Sequence, residues 1–407
     1  MAATEPGKIS QTPYKLFSQR WFWLLTAHAV LSQMATLLLR VTTSYRAIEI
    51  DLDPGWLAIF SVAFSVFPLL FGILAGRATD RYGERSTLIV GAAIVLLAAG
   101  GFLLFGNSVA GLLICNVLLG VGHLLGMLGE QSIAANNGPS VQRDRIFGYY
   151  TVFVSFGQVL SPLVIAGFSG DAVIPDTGAI FQGSAVIAAL TLAFSVPFRS
   201  SSRPQASNST TPPGSVLWLF RIPGMLAALL ASVIVLASMD LLLVYLPALG
   251  TERHIEAATI TTLLSLRAVA AMLSRLCFHA LIARLGRARL LIGSIALATL
   301  SVIAIPICMP LWALGAVICV AGFVLGLCLP LTLAWMTEIS PPTVRGTVIS
   351  LRLVGNRLGQ TVISSAASLV AVSIGIAGVF WFSGAALALV ALTTARAFAG
   401  QKPASKT

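Results

Sequence analysis

The sequence contains few charged residues. Asp, Glu, Lys and Arg together make up 10% of its 407 residues, whereas hydrophobic residues make up 57%. Soluble globular domains carry about 25% charged and about 45–50% apolar residues. Since so little charge cannot cover a folded surface in water, we expect lipid to surround most of the chain.

Signatures of metal, nucleotide and hydrolytic sites are also missing. The five cysteines fall singly within apolar runs, with no CxxC pair and no His at ligand spacing, so neither a disulfide framework nor a zinc site is predicted. No Walker loop, GxSxG or HExxH motif occurs. We therefore expect no metal, no cofactor and no enzymatic activity.

The apolar residues are grouped in twelve runs. A membrane-spanning helix needs about 20 mostly apolar residues, and each run is near or above that length. The first six cover 21–45, 54–78, 87–105, 109–135, 147–168 and 179–198. The second six cover 217–249, 257–282, 290–309, 311–337, 344–370 and 373–395.

The middle of the chain differs in composition from both sides. Residues 199–215 read RSSSRPQASNSTTPPGS and contain almost no large apolar side chain, which is typical of a linker. Short matches recur across it: Arg284 follows Arg81 by 203 residues, and Gly359-Gln360 follows Gly157-Gln158 by 202. We predict an all-α membrane protein of twelve helices in two pseudo-symmetric six-helix bundles, residues 1–198 and 217–407, joined by a linker at 199–216.

The positive charges lie in alternate loops. With both termini inside, the inner loops and tails carry most of the Lys and Arg, whereas the outer loops carry only Arg46 and Arg253. This distribution follows the positive-inside rule and predicts cytoplasmic termini in the cell inner (plasma) membrane. The formal charge of +11 therefore reflects topology, and since no Lys/Arg-rich run is present we do not expect nucleic-acid binding. We expect a monomer in the lipid bilayer.

A short motif follows the second span. The segment Gly76-Arg-Ala-Thr-Asp80-Arg81-Tyr-Gly83-Glu-Arg85 resembles the Gly-x-x-x-Asp-Arg-x-Gly-Arg-Arg signature loop of the major facilitator superfamily. The resemblance extends to the twelve spans, the central linker and a degenerate second copy. It implies transport of a small-molecule substrate by alternating access, with this loop acting as a cytoplasmic gate. Close packing at Gly76, a tight reversal at Gly83 and a partner at Arg345 are expected; the alternative is a charged loop that serves topology alone.

The sequence departs from the family pattern at several positions. Glu84 replaces a basic residue of the motif, and Ala283 replaces the acid in the second copy. Asn116 stands where many proton-coupled members have an arginine in span four. Span five, from Gly157 to Gly167, resembles a loosened form of a motif typical of exporting antiporters. It favours efflux, although glycine and proline there can equally serve helix packing.

Ionisable residues within spans are costly and therefore mark candidate functional positions. Glu130 and Asp240 are the acids well inside spans, so they are the candidates for proton coupling. His123 lies two helical turns before Glu130, and the pair can relay a proton. Alternatively, each acid pairs with an intramembrane arginine to hold the bundle together. Spans three, six, nine and twelve lack such residues, and the resemblance places them on the lipid side.

The candidate substrate-binding residues are polar groups in the remaining spans. They are His28, Gln33, Asn116, Gln158, Arg267, Asn356, Arg357 and Gln360. A guanidinium in mid-span suits a carboxylate or phosphate, whereas each neutral group can also serve as a helix–helix hydrogen bond. Two functions compete on these grounds. One is proton-coupled export of small amphiphilic or drug-like compounds, and the other is uptake or exchange of a small organic anion.

Overall fold

A computed structural model describes residues 16–137, 143–198, 216–341 and 345–400, and within them are twelve long α-helices. The first six are α1 (Arg20–Glu49), α2 (Gly55–Tyr82), α3 (Glu84–Phe105), α4 (Val109–Asn136), α5 (Arg143–Ser169) and α6 (Thr177–Ser195). The second six are α7 (Met225–Glu252), α8 (Ala257–Leu285), α9 (Arg287–Ala304), α10 (Leu311–Glu338), α11 (Arg345–Ile374) and α12 (Ile376–Gly400). Each contains a segment long and apolar enough to cross a membrane.

The helices form two bundles of six, so the predicted fold class is confirmed. α1–α6 make up the first half and α7–α12 the second. The halves meet along α2 with α11, α5 with α8, and α1 with α7. In the described part of the chain, α3, α6, α9 and α12 pack substantially only within their own half, as expected for helices that face lipid.

Equivalent glycines mark the repeat in both halves. A Cβ added at Gly120 of α4 would lie 2.0 Å from the carbonyl oxygen of Phe64 on α2, and one at Gly322 of α10 would lie 2.4 Å from that of Arg267 on α8. Gly157 packs in the same way on the Val30 backbone of α1, and its equivalent Gly359 packs on the Val233 side chain of α7. A side chain at these positions would separate the helices, so both halves use the same small-residue contacts at the same helix pairs.

Several helix boundaries differ from the sequence prediction by a few residues, including one each in α2, α7 and α9. α2 continues to Tyr82, so most of the gate motif is helical and the chain turns only at Gly83, whose φ is +85°. α7 begins at Met225 rather than near 217, because the left-handed Gly224 follows a separate 3-10 turn at Val216–Arg221. α9 ends at Ala304 rather than 309, since Pro306 cannot donate the next helical hydrogen bond. The predicted linker at 199–216 lies outside the described residues except for Val216, the first residue of the 3-10 turn.

The two ends of the bundle differ. We call the end that carries the 199–215 connection the linker end, and the opposite end, with the 50–54, 170–176 and 253–256 loops, the far end. At the far end the halves are joined by hydrogen bonds from Tyr245 Oη to the Pro54 carbonyl (3.2 Å), from Ser368 Oγ to the Gly55 carbonyl (2.9 Å) and from the Ala257 amide to the Ala172 carbonyl (2.9 Å).

Toward the linker end the same interface opens. In α2, Thr79 is the one described side chain beyond Pro68 that is buried, and in α8 no described side chain beyond Ser274 is buried. The two halves are therefore closed at the far end and splayed at the linker end.

Candidate functional site

A buried ion pair joins the two halves near the middle of the interface. Arg40 of α1 lies 2.6 Å from Oδ1 of Asp240 on α7, and both side chains are less than 10% exposed. Ser61 of α2 donates a hydrogen bond to the other carboxylate oxygen and accepts one from Arg40 at 3.2 Å. The Arg40 guanidinium also stacks over the Phe64 ring at 4.4 Å. Asp240 thus pairs with an intramembrane arginine, which is the alternative to proton coupling that the sequence analysis gave for this acid.

Two further arginines lie close to this pair. Arg267 of α8 is buried and Arg357 of α11 is half-buried, and the charge of Asp240 acts on both guanidinium groups. Arg357 is also affected by the charge of Arg40 and donates a hydrogen bond to Gln360 at 3.2 Å. One guanidinium group therefore pairs with the Asp240 carboxylate, and two more from the second half add positive potential around it.

Two other intramembrane arginines have local partners. Arg275 of α8 donates to the Ser155 hydroxyl of α5, across the interface between the halves. Arg352 of α11 donates to the Leu329 carbonyl of α10 at 3.1 Å. A hydrogen bond to a neutral oxygen leaves the positive charge of each side chain in place, so both add to the positive potential of the interface.

Glu130 occupies a separate buried cluster inside the first half. Its Oε1 lies 2.7 Å from Nδ1 of His28 on α1, and its Oε2 accepts a hydrogen bond from the Tyr150 hydroxyl of α5 at 2.8 Å. All three side chains are buried, and His28 Nε2 has no hydrogen-bond partner among the described residues. The cluster lies toward the linker end, since each residue is within about eight positions of the helix terminus there.

His123 does not pair with Glu130. Its Nδ1 lies 3.4 Å from the Thr36 hydroxyl, and its ring lies 5.7 Å from that of Phe64. Seven residues of helix separate His123 and Glu130 by about 10 Å along the α4 axis. The histidine that contacts Glu130 is His28, which the sequence analysis grouped with the substrate-binding residues. His123 instead faces the arginine cluster, where Arg40 and Arg357 act on it electrostatically.

The predicted neutral binding residues are dispersed. Asn356 accepts a hydrogen bond from Ser232 on α7 at 3.0 Å, which is a contact within the second half. Asn116 is buried and donates to the Leu112 carbonyl at 2.8 Å. Together with Arg40 and Ser61 it lines a cavity of about 10 Å³, which is the size of one water molecule.

Gln33 lies at the contact of α1 with α5, where a Cβ at Gly157 would lie 3.0 Å from the Gln33 Cβ. Gln158 is the next residue of α5, and both glutamine side chains are half-buried. Of the neutral candidates, Gln360 alone has a hydrogen bond to a central arginine among the described contacts.

Three side-chain contacts of the gate motif are described, and all three lie within the first half. A Cβ at Gly76 would meet no atom within 4 Å, so the predicted close packing is absent because the linker end is open. Arg81 stacks on Tyr82, and Arg85 donates to the Val196 carbonyl at the end of α6. The Asp80 and Arg345 side chains lie outside the described residues. Gly83 makes the predicted tight reversal, with φ at +85°.

Sequence reasoning missed two members of these clusters. Ser61 and Tyr150 are ordinary residues of apolar spans, and no motif or spacing distinguishes them from their neighbours. Arg40 is a charged residue within an apolar span, but its partner on α7 is 200 residues away in the sequence. Only the packing of α1 and α2 against α7 brings the three groups together.

Two bundles of six spanning helices around a charged interface define a twelve-helix membrane transporter. The model of the Major Facilitator Superfamily matches residues 24–230 and 228–407. The chain therefore belongs to the major facilitator superfamily and is a multi-pass membrane protein, as the motif predicted. A comparison with curated proteins finds no significant match.

Solved structures share this fold at low sequence identity. The crystal structure of a D-xylose-proton symporter is 16% identical with a TM-score of 0.74, and the match covers 92% of this chain and 96% of that one. The inward open conformation of the xylose transporter XylE from E. coli is 16% identical with a TM-score of 0.72, covering 93% and 95%. The nucleoside transporter NupG is 12% identical with a TM-score of 0.78, covering 94% and 100%.

Proposed function

We propose that this transporter carries a small organic anion and couples its movement to protons. The observation that supports the proposal is the charge balance at the centre, where Asp240 pairs with Arg40 and its charge also acts on Arg267 and Arg357, so that three guanidinium groups share one described carboxylate. Buried charges are normally paired, because an unpaired ion loses its hydration without compensation. A carboxylate or phosphate of the substrate would supply the missing negative charge, and guanidinium groups bind both in bidentate fashion.

Proton coupling is assigned to Glu130. The groups that face it are His28 from α1 and Tyr150 from α5, while the Glu84 backbone of α3 packs beside the neighbouring Gly129. The cluster can hold its exchangeable proton on either the carboxyl or the imidazole. When the cluster gains or loses a proton beyond this one, the net charge of a buried site changes. Water that enters when the halves move stabilises the changed charge.

The proposed cycle is alternating access between the halves. We take the linker end as cytoplasmic from the positive-inside rule, so the conformation described here is open to the cytoplasm. In the opposite conformation, the Gly76–Arg85 motif would pack against the second half near Arg345 and close the linker end. The units that move are residues 1–198 and 217–407, with the segment between them as the connection.

Export of amphiphilic compounds stays a prediction. Its support in the sequence is the α5 motif, and Gly157 of that motif packs against the backbone of Val30 on α1. Helix packing is sufficient to account for this glycine. The arginine cluster has no comparable structural explanation, and it therefore decides our preference for an anionic substrate.

Transport by purified protein in proteoliposomes tests the proposal. The probes are radiolabelled benzoate, succinate, citrate and inorganic phosphate, with D-xylose and adenosine as neutral controls. We expect an imposed pH difference to drive accumulation of at least one acid and of neither neutral probe. Accumulation of a neutral probe without any acid would contradict the anionic substrate. Accumulation that persists after an ionophore collapses the pH difference would contradict proton coupling.

A further inference from the structure

We propose that Asp240 is a resident counter-anion of the arginine cluster, which the substrate anion displaces, and that its separation from Arg40 releases the far end of the interface. The inference rests on the proposed function for the identity of the displacing group. The release of the far end depends only on contacts within the chain and can be tested without any ligand.

The geometry of Asp240 is that of a bound carboxylate ligand. Arg40 contacts Oδ1 and Ser61 donates to Oδ2, so both oxygens are occupied by groups of the first half, whereas Asp240 itself belongs to the second half. An incoming carboxylate or phosphate offers the same acceptor oxygens to the same donors. A substrate anion that binds the same Arg40 nitrogen and the same Ser61 hydroxyl therefore displaces Asp240 from both.

The displaced Asp240 carboxylate retains positive neighbours. Arg267 and Arg357 belong to its own half and already interact with it electrostatically. Transfer from Arg40 to these arginines keeps the buried carboxylate paired while removing its link to α1. The cost of an unpaired buried charge is thereby avoided, and the substrate takes over Arg40.

The halves are held together toward the far end by the Arg40–Asp240 ion pair and by hydrogen bonds between neutral groups. Beyond the ion pair toward the far end, the halves are joined by Tyr245 to the Pro54 carbonyl and by Ser368 to the Gly55 carbonyl. Neutral hydrogen bonds each contribute little net free energy, since water replaces them when they open. A buried ion pair has no such replacement until an anion arrives, so it controls whether the far end can separate.

Distances between spin labels test this release. In a background without the native cysteines, labels at Asp171→Cys and Glu256→Cys report on the far end, because both residues are exposed on facing loops. A second pair at Tyr82→Cys and Leu285→Cys reports on the linker end, where both residues are exposed at equivalent helix termini. Measurements are made on the full chain in nanodiscs without added anion.

We expect Asp240→Asn to increase at least about tenfold the fraction of molecules in which the two far-end labels are far apart. The fraction in which the two linker-end labels are close together should increase to the same extent. Asp240→Glu is the matched control and should retain the closed far end. The double variant Arg40→Gln/Asp240→Asn leaves no unpaired charge in the pair, so it should fold even if Asp240→Asn does not, and it should show the same opening. A wild-type far-end distribution in the double variant would overturn the proposal.

Binding of succinate to the same proteins separates this inference from the proposed function. Asp240→Asn should bind succinate at least about tenfold more tightly than wild type, since the resident competitor is gone. Opening of the far end without any anion binding would support the release and contradict the anionic substrate. Tighter binding with an unchanged far end would contradict the release alone.

Discussion

His28 Nδ1 lies 2.7 Å from Glu130 Oε1, and this contact joins α1 to α4 inside one half of the molecule. The other intramembrane acid, Asp240, contacts Arg40 across the two halves at 2.6 Å. The two acids therefore differ in what their contacts hold together. A change of charge at Glu130 acts within the first half, whereas a change of charge at Asp240 acts on the contact between the two halves.

Replacement of Glu130 by glutamine tests the assignment of the proton. The amide can accept the Tyr150 hydrogen bond and donate to His28, so the cluster should remain packed, but it can no longer gain or lose a proton. One coupled proton and a pH difference of one unit sustain about a tenfold concentration ratio, equivalent to about 1.4 kcal/mol. We expect Glu130→Gln to abolish this accumulation while exchange without a gradient continues.

The control for Glu130 is an acid outside the membrane-spanning core. Glu338, at the end of α10, pairs with Arg287 and is largely exposed. Glu338→Gln should accumulate substrate as wild type does. Accumulation by Glu130→Gln that equals that of the Glu338 control would remove Glu130 from the proton pathway.

Replacement of the central arginines tests the charge of the substrate. Hydrogen bonds to charged groups contribute about 1.5–3 kcal/mol, so Arg357→Gln and Arg267→Gln should each weaken binding of a transported acid by about 10–100-fold. Arg396→Gln is the control, because Arg396 is exposed at the end of α12. Equal binding by all three variants, measured by calorimetry, would contradict an arginine site.

The net charge of the cluster also predicts selectivity. Three guanidinium groups and one carboxylate leave two positive charges without a partner, so a dicarboxylate such as succinate should bind more tightly than benzoate. Asp240→Asn leaves three positive charges without a partner, so the preference of the protein should shift from succinate toward citrate. Competition between the labelled acids measures this order, and a preference for benzoate in both proteins would contradict the charge count.

The sequence predicts the number and grouping of the helices better than it predicts the contacts between their side chains. Span length, the linker composition and the Gly76–Arg85 motif are local signals, and they were sufficient for twelve helices, two bundles and the family. The partners of Glu130 and Asp240 depend on how helices distant in sequence rotate against each other, which a single sequence does not encode in any local pattern. Spacing along α4 therefore pointed to His123 as the partner of Glu130, and only packing assigned His28 to it.

The paired glycines predict a symmetric effect on stability. A Cβ at Gly120 would lie 2.0 Å from the Phe64 carbonyl oxygen, and overpacking of this kind costs about 1–3 kcal/mol. Gly120→Ala and Gly322→Ala should both lower the thermal unfolding temperature in detergent. Gly293→Ala, where the added Cβ meets no atom within 4 Å, should leave it unchanged or raise it. Similar unfolding temperatures for Gly120→Ala and Gly293→Ala would mean that α2 and α4 are not packed as described.

The gate motif makes a prediction that depends on conformation. Gly76 has free space beside it while the linker end is open, so Gly76→Leu should not reduce stability in this state. Closure of the linker end would bring α2 against the second half, where a leucine at this position would collide. We therefore expect Gly76→Leu to bind substrate from the cytoplasmic side but to transport it at least about tenfold more slowly. Gly183→Leu, on the outer helix α6 with equal space around it, should transport normally, and equal rates for the two variants would remove Gly76 from the gate.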